Sequence, residues 1–370
     1  MSRTSHVPSG AKIKVVGLGG GGCNAVTRMV KGGICGVDFI VMNTDAQHLA
    51  VSEAAVRVQL GERVTRGLGA GGDHTIGQKA AEESRDEIRQ AVTGADMVFV
   101  TAGMGGGTGT GSIPLVAQLS KQSGALTIAV VTKPFSFEGS HRRQIAEKGM
   151  ADLIDKVDTL IIIPNDRLLE LCDHKTSVDN AFRLADEVLH HGVQAIAEVI
   201  TVPGLINLDF ADIRTVMKDA GPAWMSIGTG SGQNRARDAA KQALSSPLLD
   251  VSMEGAKGVL FNIAGSNLTL FEVSGAAEVI KQAIDPQANV IFGVVLDPNM
   301  GNDVRLTLIA TGFASREELA GADWDKEISR LLKGAKSDDE LDVPSFMRYR
   351  HPLAGQKPQP VGQTRNSRDR

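Results

Sequence analysis

Residues Gly103–Gly111 read GMGGGTGTG, with six glycines, two threonines and no lysine. Before them stands DMVFVTA, a β-branched run of the kind that forms a buried strand. After them, Ile113–Gln122 has helical spacing. Glycines set between a strand and a helix let backbone N–H groups approach an anion closely, and the helix N-terminus adds its positive dipole end. The donors here would be amides and the hydroxyls of Thr108 and Thr110, which can hold a phosphate without a lysine. A flexible linker is the bland alternative, and the direct abutment of strand and helix weighs against it.

A second glycine stretch, GLGGGG at Gly17–Gly22, lies between the strand-like IKVV and the helical NAVTRMV. Gly17, Gly19 and Gly22 satisfy GxGxxG, and Asp38 falls where the ribose-binding acid of a dinucleotide fold would fall. That motif alone leaves an NAD-dependent oxidoreductase open. A dinucleotide needs one pyrophosphate cradle, however, and two cradles on different strands suit a nucleoside triphosphate better.

The same strand design recurs outward in VDFIVMNTD, LTIAVVTKP and TLIIIPND, with helical stretches such as Gly77–Val92 between. Strands alternating with helices predict a Rossmann-like parallel α/β sheet whose ligands collect at the carboxyl ends of the strands. A central helix is expected over Ser177–Thr201, with Ala181, Leu184, Ala185, Val188, Leu189, Gly192 and Ile196 on one apolar face and VPG as its stop. Beyond it, AWMSIGTG, GVLFNIAG, VIFGVVLD and RLTLIATG predict four strands. RARDAAKQALSS and LFEVSGAAEVIKQAI predict two helices, making a smaller α/β C-terminal domain with a four-stranded sheet.

Composition sets bounds on function. A net charge of −4 gives no basic footprint, so no nucleic-acid partner is expected. No apolar run approaches the length of a membrane span. Three cysteines without CxxC spacing point to a reduced, cytoplasmic setting.

GGGTGTG is the signature of the tubulin and FtsZ superfamily. GLGGGGCNAV, VMNTDAQ, GLGAGGD, VVTKPFSFEG, IPNDRLLE and PGLINLDFADIRTVM follow that family's pattern in order. The chain therefore resembles the FtsZ family of bacterial cell-division GTPases over roughly residues 11–313 and again at 338–350. The resemblance implies a GTP-binding domain over 11–175, a central helix over 176–201 and a C-terminal domain over 202–314 that carries the catalytic loop at its start. A linker over 315–337 and a partner-binding peptide over 338–350 would follow, with disordered ends at 1–10 and 351–370.

By the same resemblance, nucleotide contacts fall on Gly20, Gly21, Gly22, Cys23, Asn24, Ala70, Gly71, Gly72, Gly103, Gly106, Gly107, Thr108, Gly109 and Thr110. Glu138 and Arg142 fall at the ribose, and Asn165, Phe182 and Asp186 at the guanine. The physics fits: a carboxylate at 186 can accept two hydrogens from the guanine edge that adenine lacks, and Phe182 offers a stacking face. The bland alternatives are a solvated helix acid for Asp186, core packing for Phe182 and an exposed basic turn for Arg142. GTP or GDP with Mg²⁺ is implied, with no protein ligand to the metal assigned.

NLDFAD holds Asn207, Asp209 and Asp212. The two acids are either first-turn helix carboxylates matched to the dipole or a pair that orients water for phosphate hydrolysis. Some 15 helical residues at 1.5 Å each separate Asp186 from the far end of the central helix, so the acids lie more than about 20 Å from the base site. They cannot reach their own γ-phosphate, but they can reach that of a neighbour stacked head to tail, a contact that propagates a filament. The resemblance implies that arrangement, with hydrolysis activated by self-assembly at the midcell division ring. It also implies that Val343, Phe346, Met347 and Arg348 dock on membrane-tethering division proteins. The short connector to that peptide and the twenty residues after it depart from the family pattern. A tubulin-like paralogue that assembles without hydrolysis is the second alternative.

Overall fold

The computed structural model describes residues 10–170, 172, 176–201, 209–249 and 253–313. Asn207, the linker, the peptide with Val343, Phe346, Met347 and Arg348, and both predicted disordered ends lie outside the described residues, apart from Gly10.

Among the described residues ten strands form one sheet: β1 Ile13–Leu18, β2 Val37–Asn43, β3 Val56–Gln59, β4 Met97–Gly103, β5 Leu126–Lys133, β6 Thr159–Pro164, β7 Gly221–Ser231, β8 Gly258–Gly265, β9 Asn289–Leu296 and β10 Asp303–Thr311. The helices are α1 Gly19–Lys31, α2 Ala46–Ala50, α3 Glu62–Thr65, α4 His74–Glu83, α5 Arg85–Val92, α6 Thr108–Gln122, α7 Ser140–Ile154, α8 Asn165–Leu169, α9 Val178–Thr201, α10 Phe210–Met217, α11 Arg235–Leu244 and α12 Leu270–Lys281.

Strand order is β3-β2-β1-β4-β5-β6-β7-β10-β8-β9. The first six strands are parallel and follow the doubly wound order, with its switch point between β1 and β4. Both glycine stretches follow those two strands, so topology alone brings them to one crevice. β7 belongs to both halves of the sheet. Its first residues, Gly221–Ala223, pair with β6, and the strand then pairs antiparallel with β10 from Trp224 onward. From β7 onward the described residues contain the expected four strands, β7 to β10, and the expected helices α11 and α12, with α10 preceding them.

Helix α9 packs against α1 and also against β8, β9 and β10. Its buried Ala185, Val188, Leu189, Val193 and Ile196 share one core with strands of both halves. Apolar residues on more than one face let it serve two layers at once. A separate core, built on Phe261, Leu306, Val273 and the alanines of α11, fills the far side of the C-terminal half.

Two expectations need correction. Gly77–Val92 is two helices rather than one, broken at Ser84, whose hydroxyl accepts from Gly61 N–H at 3.0 Å. The glycine stretches are partly helical as well. Gly19–Gly22 is the first turn of α1, and α6 begins at Thr108, five residues before the spacing signal. Glycine's low helix propensity hid both starts. Tight packing supplies what propensity lacks: a Cβ on Gly77 would lie 2.2 Å from Gly107 O, and one on Gly111 would lie 2.1 Å from His74 O.

Candidate active site

A cleft of about 510 Å³ opens at the carboxyl ends of β1, β4, β5 and β6. Gly20, Gly21 and Asn24 line it from α1, Ala70, Gly71 and Gly72 from the loop before α4, and Gly103, Gly106, Gly107, Thr108 and Gly109 from the β4–α6 turn. The two glycine segments touch beneath it: a Cβ on Gly19 would come 2.8 Å from Gly109 N. Thr108 is held by a hydroxyl–hydroxyl contact of 2.5 Å with Thr44. Two helix N-termini, α1 and α6, therefore meet at one anion-favouring point.

Glu138 and Arg142 line the next part of the cleft. Glu138 accepts from Phe135 N–H at 2.9 Å and from Arg142 Nη1 at 2.6 Å, so its carboxylate is held, while the Arg142 side chain stays 57% exposed on α7. Asn165, Phe182 and Asp186 close the far end. Asn165 Oδ1 is buried without a hydrogen-bond partner among the described residues, an acceptor suited to a ligand N–H. Phe182 is 40% exposed and meets Phe135 edge-on at 5.3 Å, so core packing does not account for it. Asp186 is not a solvated acid either: its side chain is 14% exposed and accepts from Arg28 Nε at 2.9 Å. Burial pushes the Asp186 carboxyl above the usual carboxylate range, and Arg28 opposes that shift.

Three residues assigned to the nucleotide do not line the cleft. Gly22 is buried where a Cβ would strike Thr101 O, so it seats α1 on β4. Cys23 is buried, with Sγ 3.8 Å from the carbonyls of Gly17 and Met42. Thr110 Oγ1 accepts from Gly105 N–H at 2.8 Å and closes the glycine turn. All three shape the cradle from behind. Sequence reading passed over several lining residues, among them Asn43, Asp45, Gly69 and Thr132, which sit within the quoted motifs. It also missed His48, whose Nε2 lies 3.1 Å from Asn24 Oδ1, and nothing in the spacing singles that residue out.

Asp38 is at the wrong end for a dinucleotide site. It is the second residue of β2, at the strand's amino end, and lines a different groove with Lys14 and Glu87. A ribose-binding acid belongs at the carboxyl end.

The catalytic candidates are elsewhere. Asp209 is the N-cap residue of α10 and Asp212 lies in its first turn; both are exposed and neither lines the cleft. Asp209 makes no side-chain cap bond, so its carboxylate is not committed to the helix. Helix α9 leads away from the cleft. Phe182 and Asp186 line the cleft near its start, while Thr201 at its end donates to Cys35 O, just before β2 begins. Its 24 residues span about 36 Å, from the carboxyl edge of the parallel sheet to the amino edge.

Residues 12–173 match the model of the Tubulin/FtsZ family, GTPase domain, and residues 221–314 match that of the FtsZ family, C-terminal domain. The chain belongs to the FtsZ family. An FtsZ dimer from M. jannaschii is 46% identical, with 83% of this chain and 89% of that one covered and a TM-score of 0.80. CetZ1 from Haloferax volcanii, a GDP-bound monomer, shares the fold at 21% identity and a TM-score of 0.71, covering 87% of this chain and 98% of its own. CetZ2 from the same organism, described as a GTPγS-bound protofilament, does so at 19% and 0.70, covering 90% and 100%. Family membership supports GTP and GDP binding and GTP hydrolysis, which displaces the oxidoreductase alternative. Among the described residues no helix is long and apolar enough to cross a membrane.

Proposed function

We propose that the chain hydrolyses GTP only when it assembles head to tail, each subunit's Asp209 and Asp212 completing the cleft of the next. The observation that carries this reading is the placement of the two exposed acids outside the cleft that is lined by both glycine segments and by Glu138, Asn165, Phe182 and Asp186.

In this scheme the amides of the two glycine segments and the Thr108 hydroxyl bind the phosphates. Glu138 and Arg142 hold the ribose, while Asn165, Phe182 and Asp186 read the guanine. Asp209 and Asp212, assisted by Asn207, orient and polarise the attacking water. Lacking a cis lysine or arginine finger in the glycine segments, the monomer keeps its triphosphate until a neighbour arrives. The cradle's donors are amides and hydroxyls, which fit phosphate oxygens rather than a bare cation. Among the described residues no cluster of acidic, histidine or cysteine groups stands ready to hold a metal. Mg²⁺ would thus enter with the triphosphate and neutralise its charge. The filament would scaffold a bacterial division ring in the cytoplasm at midcell, tethered through residues 338–350.

The test is specific GTPase rate against protein concentration, with pelleting, for wild type and Asp212→Ala. Wild type is expected to show a threshold concentration below which turnover per molecule vanishes. Asp212→Ala is expected to bind GTP normally and lose turnover by about 10²-fold or more. A turnover per molecule that stays constant down to dilute monomer would end the shared-site reading.

A further inference from the structure

Arg28 lies outside the cleft and outside every motif that the sequence assigns to the nucleotide, yet it grips the residue at the cleft's far end. It sits on α1, whose Gly20 and Asn24 line the phosphate side. Positions 20, 24 and 28 are four apart and share one helix face. One rigid helix therefore carries the anion cradle at its first turn and, two turns on, a guanidinium bonded through Nε to Asp186 Oδ2 at 2.9 Å. Asp186 is a lining residue of the cleft, and Arg28 approaches it from the α1 side.

We infer that Arg28 is the positioning residue for base recognition: it fixes the Asp186 carboxylate in place and in its charged form, so that both oxygens remain usable as acceptors for a guanine edge. This rests on the reading of Asp186 as the guanine acceptor. A carboxylate can take several donors, so the single bond from Arg28 leaves Oδ1 and a second lone pair of Oδ2 for N1–H and the 2-amino group. The charged group facing Asp186 from α1 is Arg28, and its own helix adds Glu187, which disfavours ionisation. Burial and Glu187 together drive the carboxyl toward its neutral form, and Arg28 opposes both. A protonated Asp186 would offer one acceptor and one misplaced donor, and the discrimination against adenine would weaken.

Binding of GDP and ADP to the full-length chain, measured by competition with a fluorescent GDP analogue at pH 6 and pH 8, separates the possibilities without hydrolysis. The proteins compared are wild type, Arg28→Met, Arg28→Gln, Arg28→Lys and Asp186→Asn. Arg28 is partly exposed on its helix, and circular dichroism checks that each variant is folded. Arg28→Met and Arg28→Gln are expected to weaken GDP binding about tenfold or more while leaving ADP unchanged. The loss should be no smaller at pH 6 than at pH 8, because removing Arg28 lets burial raise the Asp186 carboxyl further, and Arg28→Lys should recover most of the affinity at pH 8. If the neutral variants bind GDP as tightly as wild type, or tighter, at both pH values while Asp186→Asn loses it, Arg28 merely competes for the carboxylate and the inference is wrong. If Asp186→Asn keeps the wild-type preference for GDP over ADP, the base reading of Asp186 falls, and the role of Arg28 with it.

Discussion

Cys23 and Cys35 carry the same thiol in opposite surroundings. Cys23 is packed behind the first glycine turn, and burial pushes its thiol up to about 12 despite a hydrogen bond to the Met42 backbone. At pH 8 almost none of it is thiolate, so it is no modifiable group of the phosphate cradle. Cys35 is exposed before β2. Iodoacetamide at pH 8 is therefore expected to label Cys35 in the native protein and Cys23 only after denaturation, as read by peptide mass spectrometry. Equal native labelling of the two would contradict the packing behind the cradle. The GLGGGGC motif made Cys23 look like a ligand contact because sequence adjacency carries no information about which side of a helix a residue faces. The same limit applied to Thr110, whose neighbour Thr108 faces the cleft while Thr110 faces the turn.

At the scale of elements, α11 and α12 are clamped by one half-buried pair. Arg235 Nε donates to Glu272 Oε1 at 2.6 Å, and its Nη2 donates to the carbonyls of Ser266 and Asn267 at 3.0 and 3.3 Å. Glu272 also closes a capping box with Thr269. The Arg235 hydrogen bond, supported by those of Thr269, holds the Glu272 carboxyl down at about 2, below the ordinary 4.5. A depressed acid contributes stability above its unfolded value and loses it as pH falls through the folded one. Glu272→Gln is expected to cost about 2 kcal/mol near neutral pH. In chemical denaturation the gap to wild type should close between about pH 4 and pH 2. A gap that is constant over that range would mean the charge is not what holds the helices. This clamp was not legible in the sequence, since its partners are far apart in the chain and meet only after β8 turns back. The helices themselves were legible, because each shows its own periodicity.

At the scale of the whole molecule, α9 runs from the cleft to the amino edge of the parallel sheet, the edge at which Met217 O, at the end of α10, accepts from Thr159. If neighbours share a site, two damaged subunits can repair one another. Gly20 lines the cleft and has open space around it, so Gly20→Val is expected to obstruct nucleotide while leaving the fold intact. Asp212→Ala keeps the cleft and loses the acid. Mixed at total concentrations above the assembly threshold, the two are expected to show a GTPase rate clearly above the sum of each alone. A strictly additive rate would place cleft and acids in service of the same subunit.

The sequence by itself determined the fold class, both glycine segments, the central helix and most of the cleft, because these depend on local periodicity and on residue types at fixed spacing. Phosphate cradles are local: a strand end, a few glycines and a helix start are contiguous in the chain. Only the tertiary structure decided that Asp38 sits at the wrong edge for a ribose, that Thr110 and Cys23 face away from the cleft, and that Arg28 holds Asp186. Each of those depends on which strand edge and which helix face is turned inward, and that is set by packing between segments distant in sequence.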